Sequence, residues 1–375
     1  MQSRRPIVLG LPFLVPLVAC GDDETDGQDG GAGGEGGAGG GQGGDGEGGE
    51  GGGGNNDPLT TRIAFGSCMH QNIPKPVLDL ATDSAPDLFV FLGDNIYGDT
   101  TDMELMQAKY DLQGSSAEFQ RLRDKIPVIA TWDDHDYGAN DAGKEYPQKA
   151  ESKQIFLDFW QEPEGSERRT REGIYTSYVL EAEGGTVRVI LLDTRWFRDP
   201  LDPATDPGSK NDYQPTDDTT RAFLGEAQWA WLEEELKKPA DVRIIATSTQ
   251  FGHAYNGYES WTNMPHERQR MIDLIRTTGA NATIFISGDV HWGELSKLEV
   301  EGGYPIYDLT SSGITQTWPF IEENTNRVGD AVPENNYGFV EITWREGDPL
   351  ITFGIVDVEG TVRVTHEVNA SALAF

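Results

Sequence analysis

The sequence predicts an α/β protein in which two stacked sheets carry helices on their outer faces. Two observations support this class. Strands and helices alternate as far as residue 287, and from Tyr304 onward strands follow one another without helices. The early strands are short, continuous apolar runs, which are typical of strands buried on both faces. Residues 59–375 show no internal repeat and are numerous enough for one large core, so we expect a single folded domain there.

The predicted elements follow from these apolar runs and from Pro and Gly at their ends. The predicted strands are 62–65, 87–92, 127–132, 187–192, 242–247, 282–287, 306–309, 338–344, 351–356 and 362–368. The predicted helices are 74–81, 116–125, 148–160, 219–238 and 265–278. The last four strands make the C-terminal part strand-rich.

Residues 1–19 have the pattern of a lipoprotein signal peptide. Arg4 and Arg5 precede an apolar stretch, and Ala19 stands directly before Cys20, the residue that would carry the lipid after cleavage. A plain secretory signal is the alternative. Residues 20–58 interleave Gly with Asp and Glu, a composition typical of a disordered tether. We therefore expect an exported chain, lipid-anchored on the cell envelope, in the periplasm or on the outer face.

The formal net charge of −34 limits the possible partners. Part of it belongs to the tether, but an acidic excess remains in residues 59–375. Because nucleic acid is itself polyanionic, we expect no nucleic-acid-binding surface. The expected partners are a small substrate and the membrane reached through Cys20, with the protein itself a monomer.

The stretch DLFVFLGDNIYGD, residues 87–99, organises the candidate site. A buried apolar strand stops at Gly93, and Asp94 and Tyr97 follow at once. In open α/β sheets ligands bind beyond the carboxyl ends of strands, so these two side chains stand where chemistry is expected. The alternative is an ordinary strand-to-loop transition.

The same pattern recurs at three other predicted strands. Each is followed directly by metal-binding residue types, at Cys68, at Asp134 with His135, and at Asp289 with His291. We expect all four strand ends to lie at the same end of a sheet and to form a site for several metal ions.

Cys68 is the one thiol outside the predicted lipidation site, so it cannot form an intramolecular disulfide in the processed chain. A buried apolar role is the alternative to metal binding. Thiolate, phenolate and carboxylate ligands are all anionic and suit a trivalent ion. We therefore expect Fe³⁺ held by Cys68, Asp94 and Tyr97, with Asp94 shared with a divalent neighbour.

The motifs resemble those of the alkaline phosphatase D (PhoD-like) family of the metallo-dependent phosphatase superfamily. The resemblance extends from residue 62 to about residue 300 and rests on FGSC, GDNIY, ATWDDHDYG, LDTRWFRDPL, LGEAQWAWLEEEL, ESWTNMPHERQ and SGDVHW. It implies a four-layer α/β/β/α sandwich of the metallophosphatase type. It also implies phosphoester hydrolysis by a metal-bound hydroxide at a cluster of iron with calcium.

The resemblance implies metal ligation by six residues: Cys68, Asp94, Tyr97, Asp134, Asp289 and His291. Ca²⁺ is the expected divalent ion, with Zn²⁺, Mn²⁺ or Mg²⁺ as alternatives.

Three residues are expected to act in catalysis: Asp134, His135 and Arg195. His135 matches the superfamily histidine that contacts phosphate or protonates the leaving group, and Asp133 and Asp136 are expected to orient it. Arg195 could hold a substrate phosphate through paired hydrogen bonds, or it could pair with structural carboxylates.

The chain also departs from the family pattern. A superfamily block that normally supplies a histidine is STQFGH here, which leaves Ser248, Gln250 or His253 as candidates. Thr262 stands where the family has an acidic residue, and Asp134 replaces the usual asparagine. Two other functions remain open, a phospholipase D-like headgroup hydrolase and a non-catalytic calcium-binding surface lipoprotein.

Overall fold

The computed structural model describes residues 58–205, 212–255 and 257–375, together with the backbone of Leu9 and Gly10. Cys20, nearly all of the predicted signal peptide and nearly all of the tether lie outside the described residues, so those assignments stay predictions. Within the part of the chain that is described, no helix is both long enough and apolar enough to cross a membrane.

The structure has the predicted two sheets packed face to face. The first sheet has six strands, in the order β15 (Val362–Asn369), β14 (Leu350–Asp357), β13 (Asn336–Thr343), β2 (Thr60–Gly66), β3 (Leu88–Phe91) and β4 (Val128–Ala130). Strands β2, β3 and β4 are parallel, and the three C-terminal strands extend the sheet in antiparallel fashion.

The second sheet has seven strands. Their order is β1 (Leu9–Gly10), β5 (Thr176–Ala182), β6 (Gly185–Leu191), β9 (Val242–Ala246), β10 (Thr283–Ser287), β12 (Ile306–Ser311) and β11 (Gly293–Leu298). The central strands β6, β9, β10 and β12 are parallel, and antiparallel strands flank them on both sides. A separate pair, β7 (Asp202–Pro203) and β8 (Tyr213–Gln214), is antiparallel.

Helices form the two outer layers. The first sheet is covered by α1 (Pro76–Asp83), α2 (Met103–Gly114), α3 (Ala117–Lys125) and α5 (Lys149–Phe159). The second sheet is covered by α7 (Gly225–Lys237) and α8 (Pro265–Thr278). The short elements are α4 (Asp134–Tyr137), α6 (Glu167–Thr170) and the 3-10 helices Trp261–Asn263 and Ala370–Ala372.

Strand β3 shows why the sandwich has four layers. Leu88 and Val90 belong to the apolar cluster between the sheets, whereas Phe89 and Phe91 pack among the outer helices. Side chains alternate along a strand, so an apolar strand needs cover on both faces. Burying each such side chain contributes about 1.5–3 kcal/mol, and this burial fixes β3 at the centre of the layers.

Candidate metal centre

The candidate ligands follow strands from both sheets, and here the sequence prediction of a single sheet was wrong. Cys68, Asp94 and Asp134 follow β2, β3 and β4 of the first sheet, whereas Asp289 and His291 follow β10 of the second. Strands β2, β3 and β4 run parallel to one another, and β10 runs parallel to both of its neighbours, so the carboxyl ends of the strands that precede the ligands meet at one edge of the sandwich.

One group of ligand atoms joins the two sheets. Atoms of Cys68, Asp94 and His291 lie within 4.8 Å of one another. Ser312 links the two loops, because its hydroxyl oxygen lies 3.0 Å from Sγ of Cys68 and accepts a hydrogen bond from the backbone N–H of His291 at 2.9 Å. Thiol, carboxylate and imidazole thus converge at one point.

Tyr97 lies against the same group. Its hydroxyl oxygen is 3.1 Å from Nε2 of His291, and its ring centre is 4.3 Å from that of His135. The structure therefore brings Tyr97 together with Cys68 and Asp94, the three residues expected to share one ion, and places His291 beside them.

Two further groups continue from the first. Asp94, Asp134 and His135 form one, which shares Asp94 with the first group. Asp133, Asp134 and Asp289 form the other, which shares Asp134 with the second, and the ligand atoms of each group lie within 4.8 Å of one another. Asp94 and Asp134 are each members of more than one group, so two neighbouring ions could share a carboxylate.

A separate observation indicates that these residues suit metal ions. Oδ2 of Asp133 and Oδ1 of Asp134 are buried without a hydrogen-bond partner among the described residues. A buried carboxylate oxygen without a donor carries a large desolvation cost, which a bound cation removes. Oxygen, nitrogen and sulfur donors together are a ligand set that suits transition-metal ions.

The backbone of the ligands is in a rare conformation. Cys68, Asp94, Asp289 and His291 have φ angles of 62°, 50°, 75° and 65°. A left-handed conformation costs a residue with a side chain about 1–3 kcal/mol and is typical of functional sites. Gly93, with φ 112°, is needed because a Cβ there would lie 2.4 Å from Cβ of Asp133.

Asp136 holds the loops of the site in position through their backbone. Its carboxylate accepts hydrogen bonds from the backbone N–H groups of Asp94, Asn95 and Asp133 at 2.6–3.2 Å. It also accepts from the side-chain amide of Asn95 at 2.5 Å. One buried carboxylate therefore connects the loop after β3 to the start of α4.

The protonation of three ligands follows from their burial. Burial raises the pKa of Cys68 to about 12 and raises that of Tyr97 well above its ordinary value, with nearby anionic groups adding to both effects. Burial lowers the pKa of His291 to about 4, so its imidazole is neutral. An incoming cation therefore meets a neutral imidazole but must displace protons from the thiol and the phenol.

His135 is oriented by a residue that the sequence analysis did not identify. Its Nδ1 lies 2.7 Å from Oδ1 of Asp99. The expectation that Asp133 and Asp136 orient it was wrong, because Asp133 pairs with Arg195 and Asp136 accepts backbone bonds. Burial alone would lower the pKa of His135, but Asp94, Asp134 and Asp99 raise it to about 11.

Arg195 is buried completely, between two carboxylates. Its guanidinium donates to Oδ1 of Asp133 at 2.6 Å and lies 2.5 Å from Glu259, while Arg198 lies 2.8 Å from the other oxygen of Glu259. This placement favours the structural alternative for Arg195, and its contact with substrate stays a prediction. Burial opposes ionisation of Asp134, but Arg195 and His135 lower its pKa to about 2.

The three candidates for the missing superfamily histidine lie beside different partners in the structure. Gln250 donates to Glu294 and Thr310, and His253 lies 3.5 Å from Glu294, away from the ligand groups. Ser248 lies nearer to the ligand groups, beside Asp133. A hydrogen bond from Ser248 lowers the pKa of Asp133 against the effect of burial.

Asp141 and Glu259 take part in a group that the sequence analysis missed. Their carboxylates lie within 4.8 Å of Asp134, and the backbone N–H of Asp141 donates to Oδ2 of Asp134 at 2.7 Å. Glu259 stands two positions before Trp261, so it supplies a carboxylate beside the position where Thr262 lacks one. The only sequence signal was the position of Glu259 within ESWT.

A cavity of about 240 Å³ opens above these groups. The candidate ligands at its base are Asp94, Asp134, Asp289 and His291, and His135 lines it as well. Its other lining residues are Asn140, Asp141, Asp212, Tyr213, Tyr258, Glu259, Val290, Trp292 and Trp318. The site can therefore admit a small ester from solvent.

Comparison with known proteins identifies a family. Residues 63–339 match the model of the PhoD-like phosphatase family. Alkaline phosphatase D of Bacillus subtilis (strain 168) is 27% identical over 225 residues, which is 53% of this chain. The match spans 36% of that relative's length.

Solved structures agree on the fold. A structure of PhoD superposes with a TM-score of 0.64 at 18% identity, over 84% of this chain and 72% of the other. GAP50, described as the anchor in the inner membrane complex of Plasmodium, superposes with a TM-score of 0.52 at 13% sequence identity. That superposition covers 83% of this chain and 89% of the GAP50 chain. At these identities the likeness establishes the architecture and not the activity.

Proposed function

We propose that this chain, which belongs to the PhoD-like phosphatase family, is a metal-dependent phosphoesterase. The observation that carries the proposal is the convergence of overlapping ligand groups on Asp94 and Asp134 below an open cavity. A purely structural cluster of so many carboxylates would be unfavourable in the folded protein without cations to neutralise it.

The donor chemistry supports two kinds of ion. Cys68, Asp94, Tyr97 and His291 would hold Fe³⁺, because thiolate and phenolate are strong anionic donors. Asp134 and Asp289 would hold a divalent neighbour with Asp94 shared, and their oxygen donors favour Ca²⁺, with Zn²⁺, Mn²⁺ or Mg²⁺ as alternatives. When bound, such ions polarise a phosphoryl group and lower the pKa of water.

His135 supplies the proton in the proposed reaction. Hydrolysis joins a water oxygen to phosphorus and breaks the bond between phosphorus and the alcohol oxygen, which leaves as the alcohol. Nε2 of His135 donates the proton to that oxygen, while Asp99 holds Nδ1. General acid catalysis of this kind contributes roughly 10²–10⁴-fold to the rate.

Location and assembly are proposed from residues 1–58 and from the charge. Cys20 carries a lipid anchor, and a random coil of the tether's length and composition spans roughly 30–35 Å from end to end. The enzyme is exported, stays on the cell envelope and acts as a monomer. Proximity to lipid favours phospholipase D-like headgroup hydrolysis as the second candidate function.

Metal analysis combined with a substrate panel tests the proposal. The purified protein is assayed for iron and calcium and then offered p-nitrophenyl phosphate, bis-p-nitrophenyl phosphate and phosphatidylcholine. Asp94→Asn is the matched inactive variant. Turnover of any ester that needs Asp94 supports a phosphoesterase, whereas full metal occupancy without turnover would identify a calcium-binding surface protein.

A further inference from the structure

The mouth of the cavity combines aromatic rings with carboxylates. We call four of its residues the rim: Asp212, Tyr213, Tyr258 and Trp318. None of the described residues that line the cavity is lysine or arginine. This composition differs from an ordinary phosphate site, in which cationic side chains surround the anion.

Trp318 is tied directly to the candidate centre. Its backbone N–H donates to the carbonyl oxygen of His291 at 3.0 Å, while its side chain is 43% exposed. The indole is therefore open to solvent at the entrance of the cavity, and its backbone is held against a candidate ligand.

Tyr213, a second aromatic residue of the rim, is held in position by hydrogen bonds. Its hydroxyl donates to Oδ2 of Asp141 at 2.7 Å, and Asp141 in turn donates its backbone N–H to Asp134 at 2.7 Å. Two hydrogen bonds thus connect this ring to the site, so its position is set by the same loops that set the ligands.

The charges near the rim select against additional anions. Asp212 is exposed at the mouth. The guanidinium groups of Arg195 and Arg198 lie behind Glu259, at most 1% exposed, and both are paired with it. An anionic group beyond the reacting phosphoryl group would meet carboxylates there, whereas a cationic group would be attracted.

One polar group at the cavity also lacks a partner. Trp292 lines the cavity and is 2% exposed, and its indole N–H has no hydrogen-bond acceptor among the described residues. An unsatisfied buried donor carries a free-energy cost that a bound acceptor removes. A phosphoryl oxygen is such an acceptor, so Trp292 provides a neutral donor beside His135, the one basic side chain among the described lining residues.

We propose that the rim binds an ammonium group on the organic part of the phosphoester. This inference rests on the proposed function and names the substrate class. Aromatic faces attract ammonium ions, quaternary ones included, and the carboxylate of Asp212 adds to that attraction. The class comprises choline and ethanolamine phosphoesters, whether as lipid headgroups or as soluble esters.

The first experiment measures binding without turnover. Choline is titrated into the metal-loaded full-length chain, in a detergent with an uncharged headgroup, while tryptophan fluorescence is recorded. Its neutral isostere, 3,3-dimethyl-1-butanol, is titrated in parallel. We expect choline to saturate at about tenfold lower concentration than the isostere. Trp318→Leu should remove this difference, whereas Phe320→Leu, 73% exposed and outside the cavity lining, should preserve it.

The second experiment measures catalysis with two matched diesters, p-nitrophenyl phosphocholine and p-nitrophenyl 3,3-dimethylbutyl phosphate. We expect kcat/KM to favour the choline ester about tenfold. Asp212→Asn should reduce the ratio, and so should 1 M salt, because an exposed charge is screened. Glycerophosphocholine and phosphatidylcholine vesicles then show by choline release whether the source is soluble or lipid.

The outcomes separate the two proposals. Hydrolysis of both diesters at equal kcat/KM, with equal effects of Trp318→Leu and Phe320→Leu, overturns the ammonium site but keeps the phosphoesterase. Choline binding without hydrolysis of any ester keeps the ammonium site and overturns the phosphoesterase.

Discussion

The hydroxyl oxygen of Tyr97 lies 3.1 Å from Nε2 of His291, although the two residues follow strands of different sheets. Tyr97 follows β3 in the first sheet and His291 follows β10 in the second. Neither sheet alone carries a complete set of ligands. The site therefore forms only when the sheets stack, and substitutions in it report on metal binding more than on the separate sheets.

Tyr97→Phe should change the colour of the protein. Phenolate bound to Fe³⁺ absorbs visible light through charge transfer from ligand to metal, and removing the hydroxyl eliminates that transition while Cys68 can still contribute. We expect the visible band to weaken or shift and activity to fall as iron is lost. Absorption spectroscopy with metal analysis measures both. A colourless, fully active enzyme containing only zinc would falsify the iron assignment.

Asp94→Asn should abolish turnover and stabilise the metal-free protein. Burial raises the pKa of Asp94, and Cys68, Asp134 and Asp133 add to that effect against His135. An acid whose pKa is higher in the folded state costs folding free energy at pH 7, and the neutral amide removes this cost. We expect the metal-free Tm to rise by about 2 °C or more.

Calorimetry with and without added metal checks this expectation. Added metal should raise the Tm of the wild type but not that of the variant, since the shared ligand is absent. Asp124→Asn, an exposed position on α3, is the matched control. An active Asp94→Asn enzyme with wild-type metal content would remove Asp94 from the site.

Asp99→Asn should alter catalysis most for esters of poor leaving groups. Asp99 raises the pKa of His135, so the amide lowers that pKa and the imidazole loses its proton at lower pH. The alkaline limb of kcat should therefore move to lower pH. The rate for an alkyl ester should fall about tenfold or more, whereas p-nitrophenolate, which leaves without a proton, should be little affected. Equal losses for both leaving groups would contradict proton donation by His135.

Arg195→Met should destabilise the fold. It leaves Asp133 and Glu259 buried without their shared partner, and breaking a buried pair in this way costs roughly 3–5 kcal/mol. Arg121→Met, which breaks surface pairs with Asp79 and Asp83, should cost far less, because solvent screens exposed ion pairs. Urea denaturation measures both. An Arg195 variant of normal stability with a raised KM would instead support a direct phosphate contact.

Removal of residues 1–57 should give a soluble enzyme with unchanged kcat. In the described part of the chain these residues contribute only the backbone pairing of β1, Leu9–Gly10, with β5. A Gly-rich acidic segment buries little apolar surface, so its loss should cost little stability. Size-exclusion chromatography and a kinetic assay test this. Aggregation would show that the N-terminal segment covers the edge of the second sheet.

Sequence analysis predicted most helices and strands. It missed several elements that bury polar side chains or only a few apolar ones. Strand β11 places Glu294 and Ser296 in the core, where Gln250 and Asn324 donate to them, so its side chains do not show an apolar pattern. Helix α2 buries only Met106, Tyr110 and Gln113, a weak stripe that apolar spacing does not reveal. Such elements are specified by tertiary partners rather than by their own periodicity.

The sequence by itself determined the apolar runs, the glycine at their ends and the identity of the residues that follow them. Those features sufficed for the α/β/β/α class and for the candidate ligands Cys68, Asp94, Tyr97, Asp289 and His291, because strand ends and metal-ligand types are local properties.

Only the tertiary structure decided which side chains meet. It paired His135 with Asp99, enclosed Arg195 between Asp133 and Glu259, and set Asp141 beside Asp134. Partners such as Arg195 and Glu259 lie far apart in the sequence and on different loops, and no local periodicity encodes the distance between them. The stacking of two sheets fixes that distance, since burying their shared apolar faces brings both sets of loops to one edge.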